Sequence, residues 1–218
     1  KTSSFLEVFI FTGRYCMIKL VIFDLDGVLA STSVEHFAAW KQIIKKHFNV
    51  DVKNEVEEST KGVSRMDSLE RILESIHRQD ISQESKLMIA RQKNELYVEM
   101  ISHYNDTDLF DGVWELFRYL NEHDIKIALG SASKNATCIV ECLEIIDVFD
   151  YIVDPSKNRG KPNPDIFLDA CNHFGFQPSE CVGVEDAQAG IDAINSAGML
   201  SIGIVKEGDL SNCDSAGR

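Results

Sequence analysis

Positive charge is scarce in this sequence. Its 218 residues carry 22 Lys+Arg against 35 Asp+Glu, a formal net charge of −13. A bulk nucleic-acid binder needs a basic face to meet phosphates, so nucleic acid is excluded as the default partner. A small anionic substrate is not excluded, because a few local cations can reverse the field inside one cleft. Long apolar runs are also missing. No stretch approaches the ~20 residues of a membrane span, and no membrane partner is expected. The six cysteines (Cys16, Cys138, Cys142, Cys171, Cys181, Cys213) form no C-x-x-C pair. Cys138 and Cys142 lie four apart on a predicted helix, but no His or Cys pair elsewhere completes a zinc pattern. We read all six as reduced, mostly buried thiols of a cytoplasmic protein. Internal repeats and low-complexity tracts are lacking as well. What remains, 44% hydrophobic and 26% charged residues, is the profile of a globular protein with one ordinary domain or a core plus an insert.

The apolar pattern then divides the chain. Ile18–Phe23 is nearly continuous, as expected of a strand buried on both faces of a parallel sheet. Met17 directly precedes it, and residues 1–16 are read as an upstream leader segment. From about Val34 to Asp108 the pattern is helical, with predicted helices over Val34–Phe48, Arg65–Arg78 and Ser82–Tyr104. After Asp111-Gly112, strand and helix alternate: strands at Ile125–Leu129, Tyr151–Val153, Cys181–Val184 and Leu200–Val205, with helices between them. Such alternation implies right-handed crossovers and an α/β fold with a Rossmann-like parallel sheet. The expected organisation is an α/β core from residues 17–31 and 109–218, interrupted by an all-helical insert over residues 32–108. The run Glu207–Arg218 is polar and shows no clear strand, so the core's C-terminal end reads as shortened.

Ligands of such sheets bind at the carboxyl ends of the strands. Those ends carry Asp24 and Asp26, then Ser131, then Lys161 in a loop, then Glu185 and Asp186. Hard carboxylate oxygens crowded together call for a hard dication, and Mg²⁺ fits best. Ser131 is expected to open the turn into a helix, where free N–H groups can hold phosphate oxygens. Lys161 offers fixed positive charge where phosphoryl transfer accumulates negative charge. One carboxylate can attack phosphorus while the other moves a hydroxyl proton.

Asp24-Leu25-Asp26-Gly27-Val28, Ser131, Lys161-Pro162 and Gly183-Val184-Glu185-Asp186 resemble the four motifs of the haloacid dehalogenase-like phosphotransferases. The helical insert resembles that superfamily's cap. The resemblance implies Asp24 as nucleophile and Asp26 as general acid/base. It implies Mg²⁺ held by Asp24, the Asp26 carbonyl, Asp186 and Glu185.

Within the superfamily, several segments resemble the β-phosphoglucomutase branch more than a generic phosphatase. They are Thr32 with His36 and Trp40, Lys61-Gly62-Val63-Ser64-Arg65 with Ser68, Lys93-Asn94, and Gly130-Ser131-Ala132-Ser133-Lys134-Asn135. His36 and Trp40 are one helical turn apart and share a face. Arg65 can offer a bidentate fork to a second, distal phosphate. A phosphatase needs one phosphate site, whereas a mutase working through a bisphosphate needs two. The resemblance implies substrate contacts from Thr32, His36, Trp40, Gly62, Val63, Ser64, Arg65, Ser68, Lys93, Ala132 and Asn135. Thr32 would lie at the cap hinge, and His36 would couple sugar binding to Asp26. The bland alternatives are that Trp40 is core and that Arg65 pairs with Glu70. Ser31 stands where the family often has Asp. The expected activity is isomerisation of β-D-glucose 1-phosphate and glucose 6-phosphate by a monomer. A Mg²⁺-dependent sugar-phosphate phosphatase and a phospho-acceptor switch are the competing readings.

Overall fold

The computed structural model describes residues 18–204 and 215–217. The segment read as a leader lies outside the described residues. Strand β1 (Leu20–Phe23) is wholly buried, as a strand covered on both faces must be. Next come helices α1 (Ser33–Phe48), α2 (Glu57–Thr60), α3 (Arg65–Ser75), α4 (Gln83–Ile101) and α5 (Val113–Glu122). The chain continues through β2 (Lys126–Leu129), α6 (Ala136–Cys142), β3 (Tyr151–Ile152), α7 (Asp165–Phe174) and β4 (Cys181–Glu185). Helix α8 (Gln188–Ser196), β5 (Leu200–Ile204) and β6 (Ser215–Gly217) follow.

All pairings are parallel, and the strand order is β3-β2-β1-β4-β5-β6. That is the α/β architecture expected, with one correction. Strand β6 pairs with β5 from Ile202↔Ser215 to Ile204↔Gly217, where the sequence reading expected no strand. Ser-Ala-Gly offers no apolar run, so backbone pairing with β5 defines this strand, not hydrophobic pattern. The short α2 also escaped the periodicity, because four residues show no period.

Each face of the sheet has its own core. Val21 and Phe23 of β1 face Leu116, Phe117 and Leu120 of α5, with Ile139 and Val140 of α6. Leu20 and Ile22 point to the opposite face, against Phe167 and Cys171 of α7 and Ile194 of α8. A third core lies within the helical stretch, where Trp40 and Ile44 of α1 meet Leu69, Ile72 and Leu73 of α3 and Ile89 of α4. The two chain crossings between this stretch and the sheet run side by side. The Phe110 N–H donates to the Leu29 carbonyl at 2.9 Å, and the Tyr104 hydroxyl donates to the Ser31 carbonyl at 2.9 Å. Among the described residues no helix is long and apolar enough to cross a membrane.

Leu120 is fully buried in the first of these cores. Leu120→Ala is expected to lower the unfolding free energy by about 3 kcal/mol in urea titrations. Glu115→Ala, on the exposed side of the same helix, is expected to change it by less than about 0.5 kcal/mol.

Candidate active site

The carboxyl ends of β1, β2 and β4 meet at one point because these strands are adjacent in the sheet. Asp24 immediately follows β1, Glu185 ends β4, and Lys161 reaches both from the loop before α7. The Lys161 Nζ donates at 2.6 Å to Asp24 Oδ1 and at 2.6 Å to Glu185 Oε1. All three side chains are buried. Burial alone would lower the Lys161 ammonium, but the two carboxylates outweigh it and hold the group above the ordinary lysine value. The other oxygen of Glu185 accepts from the Asp186 and Ala187 N–H groups, both at 2.9 Å. Glu185 therefore sets the turn that leads into α8.

Carboxylate oxygens of Asp24, Glu185 and Asp186 lie within 4.8 Å of one another. Burial, then the charges of Glu185, Asp24 and Asp26, push Asp186 up to about 8. Gly27 makes room for this packing: at φ 81°, a Cβ here would stand 1.9 Å from Asp186 Oδ2. Lys161 supplies one positive charge against three carboxylates, so the site lacks cationic charge and offers only hard oxygens. Those are the features of a site for a hard divalent cation.

Asp26 points elsewhere. Its Oδ2 lies 3.9 Å from His36 Nε2, and its Oδ1 is buried with no hydrogen-bond partner. Burial and the charge of Asp24 raise it to about 7. His36 stacks on Tyr97 of α4, with ring centroids 3.8 Å apart, and its Nδ1 contacts Lys93 Nζ. Burial, then Lys93 and Arg65, lower His36 well below the usual range, so its ring is neutral near pH 7. An ammonium has no lone pair, so with Lys93 charged Nδ1 accepts and the ring proton sits on Nε2, facing Asp26. Lys93 is 1% exposed, and its Nζ lies 4.5 Å from the Tyr97 ring and 5.3 Å from that of Trp40. Burial and the nearby Arg65 bring it down to about 7. Sequence reasoning missed Tyr97. The available signal was its position one turn after Lys93 on the same helix face.

Asp24, Asp26, His36, Trp40, Gly62, Val63, Ser64, Arg65, Ser68, Lys93, Ser131, Ala132 and Asp186 all line one cavity of about 580 Å³. Lys161 and Glu185 stand behind this lining. Thr32 and Asn135 are also outside it. Thr32 is buried at the N-terminal end of α1, and Asn135 Nδ2 donates to Asn94 Oδ1 of α4 at 2.7 Å. Gly62 lies against the sheet side of the molecule, since a Cβ there would stand 2.8 Å from Ala187 Cβ. Lys61 and Asn94 line the cavity too, though the sequence reading quoted them without assigning them a contact.

Several expectations are refined. Ser131 does not open the helix, because α6 starts only at Ala136; its hydroxyl instead accepts from the Ser133 N–H at 3.1 Å. Ser68 spends its hydroxyl on the Thr60 and Ser64 carbonyls, at 3.2 and 3.1 Å, and so shapes the loop before α3. Ser64 caps α3 through the Asp67 N–H. The ion pair supposed for Arg65 is absent, since Glu70 takes Lys86 at 2.7 Å. Arg65 faces the cavity with no carboxylate partner among the described residues. Trp40 does both things considered for it: it belongs to the helical core and walls the cavity beside Lys93.

Fold and site together define a class: an α/β protein whose strand-end carboxylates and buried lysine suit phosphoryl transfer. A family model for haloacid dehalogenase-like hydrolases matches residues 18–198. The chain belongs to that family. It is 42% identical over 192 residues to a β-phosphoglucomutase of Bacillus subtilis, covering 85% of this chain and 83% of the relative. The crystal structure of a β-phosphoglucomutase from Clostridium difficile superposes with a TM-score of 0.88 at 41% identity, covering 92% and 90% of the two chains. A phosphorylated-carbohydrates phosphatase of Thermotoga maritima is more distant, 26% identical over 84% of this chain and 83% of its own length.

Asp26 and Asp186 have folded values of about 7 and about 8 against an ordinary 3.8. Between those limits the folded protein holds more protons than the unfolded chain, so its stability falls as pH rises. In EDTA, the unfolding free energy is expected to decline from about pH 4 to about pH 7, above which the lowered Lys93 acts in the opposite sense. A divalent cation should flatten that slope, as read by urea unfolding across pH.

Proposed function

We propose that this chain is a mutase interconverting β-D-glucose 1-phosphate and D-glucose 6-phosphate. One observation carries the reading within the family: a single cavity holds two separate anion-binding features. At one end Asp24 and Ser131 line it, with Lys161 behind Asp24, and there we place the transferring phosphoryl group. On the opposing helical side, Arg65 presents a guanidinium with no carboxylate partner among the described residues, suited to a second phosphate. The volume of about 580 Å³ lies in the range of small-ligand sites.

In this scheme phospho-Asp24 donates to the free hydroxyl of the bound sugar phosphate. The bond from phosphorus to the aspartyl oxygen breaks as the bond to the sugar oxygen forms, and Asp26 takes the hydroxyl proton. The resulting β-glucose 1,6-bisphosphate turns end for end. The Asp24 carboxylate then attacks the other phosphorus, and Asp26 returns its proton to the departing sugar oxygen. Mg²⁺ would be held by Asp24, the Asp26 carbonyl, Asp186 and Glu185, and would supply the charge neutralisation that lets an anionic carboxylate meet an anionic phosphate. Lys161 fixes the Asp24 and Glu185 oxygens.

His36 orients the Asp26 carboxylate, and Lys93 fixes the ring of His36. Asp26, poised at about 7, suits a group that must both remove and supply a proton near neutral pH. Residues 32–108 serve as the cap on a core of residues 17–31 and 109–218, with Thr32 at the hinge. The Asn94–Asn135 bond and the Gly62–Ala187 approach support a cap seated on the core, which excludes water from the aspartyl phosphate.

The test is a coupled assay of glucose 6-phosphate formed from β-glucose 1-phosphate with Mg²⁺ and trace bisphosphate, with free phosphate followed in parallel. Isomerisation without matching phosphate release is expected; release without isomerisation overturns the mutase reading in favour of a phosphatase. Arg65→Ala is expected to lower kcat/KM for isomerisation about a hundredfold, the effect of losing a bidentate charge-assisted pair. Slow hydrolysis of a small monophosphate ester, which has no distal phosphate, should change less than about threefold.

A further inference from the structure

The sheet's second core contains a chemical feature that phosphoryl transfer does not use. Cys171, near the end of α7, and Cys181, the first residue of β4, meet with their sulfurs 2.8 Å apart. The Cys171 thiol donates to the Cys181 sulfur, and the Cys181 thiol in turn donates to the Gln177 carbonyl at 3.4 Å. Both residues are buried, within a wall formed by Leu20, Phe167, Ile194 and Met199. The hydrogen bond shared with Cys181 also draws Cys171 below the ordinary thiol value.

The connection between the two cysteines is a surface turn. Asn172, His173, Gly175, Gln177 and Ser179 are all exposed along it. Local opening of this turn would uncover both sulfurs without disturbing the sheet. At the other end of β4 stands Glu185, so the thiol pair lies away from the catalytic edge.

We propose that Cys171 and Cys181 form an oxidisable dithiol, closed to an intramolecular disulfide by peroxide-class oxidants. One thiolate attacks a peroxide oxygen, giving a sulfenic acid and hydroxide. The second thiol then attacks that sulfur; the S–S bond forms, the S–O bond breaks, and water leaves. Overall, two thiols lose two hydrogens to hydrogen peroxide, which becomes two waters. The bridge ties α7 to β4, whose far ends hold Lys161 in place against Glu185. It therefore acts on stability and leaves the reacting groups unchanged.

The sequence provides a clean readout. Trypsin cuts after Arg159 and Lys206 but not at Lys161-Pro162, and the resulting 160–206 peptide contains only these two cysteines. Folded protein treated with hydrogen peroxide, alkylated and digested should yield this peptide lighter by two hydrogens and without alkyl groups. Dithiothreitol should reverse the change. The 135–157 peptide, with Cys138 and Cys142, should stay open to alkylation once the protein is unfolded. The oxidised protein is expected to melt about 5 °C or more above the reduced form, with mutase turnover within about twofold. Cys171→Ala and Cys181→Ala should each abolish the mass change. If a variant fails to fold, the oxidised and reduced wild-type proteins alone decide the matter. The proposal is overturned if both sulfurs remain alkylatable after peroxide treatment, if oxygen accumulates on either without a bridge, or if bridging occurs only in urea.

Discussion

The Lys161 ammonium, buried between Asp24 and Glu185, is the interaction on which the site depends. It gathers three separate parts of the chain, namely the end of β1, the loop before α7 and the end of β4. Its two bonds of 2.6 Å fix two carboxylates that would otherwise repel each other. Removing one member of such a buried group typically costs about 3–5 kcal/mol, because a charge is left without its partner. The same ammonium leaves negative charge uncompensated, since Asp186 adds a third carboxylate to the cluster. Structural pairing and demand for a cation thus have one origin.

From that anchor the acid/base machinery is built outward in a line. Asp26, separated from Asp24 by a bend at Leu25, faces His36 rather than the carboxylate cluster. His36 is held between the Tyr97 ring and Lys93, both from α4. On the proposed mechanism, proton transfer is thereby linked to the position of a helix in the insert, while the proposed nucleophile and cation site belong to the sheet. A chain that must protect an aspartyl phosphate from water benefits from such division, since the base is correctly set only when the helical layer is in place.

Much of this could be read in the linear chain because strands buried on both faces leave continuous apolar runs. Ile18–Phe23 and Cys181–Val184 marked the central strands, and the residues after them marked the site. Helix faces were legible where the period was long enough, as in α1 and α4. What escaped had weak or indirect signals. Strand β6 has no apolar residue beyond one alanine, and Ser131 lies five residues before the helix it was expected to open. Tyr97 is a buried aromatic among many, and only its contact with His36 distinguishes it. The loss of the Arg65–Glu70 pair turned on Lys86, a competitor sixteen residues along the chain that no local rule weighs.

The acidity of the whole chain takes on a different meaning when charges are sorted by origin. The carboxylates of the site, Asp24, Asp26, Glu185 and Asp186, all stand at sheet ends. Apart from Lys161, most of the cations that line its cavity come from the helical stretch, namely Lys61, Arg65, Arg91 and Lys93, with Lys134 added from the core. Within the helical stretch, Arg65 stands close enough to Lys93 to lower that ammonium's affinity for protons. An anion between them relieves that repulsion, and a second anion at the floor is answered by Lys161 and the cation the carboxylates call for. A substrate with phosphates at both ends therefore satisfies charges on both sides at once, whereas a monophosphate leaves one side unanswered. The chain's surplus of 13 negative charges does not oppose this, because the field that a phosphate meets is set inside the cavity by those few groups.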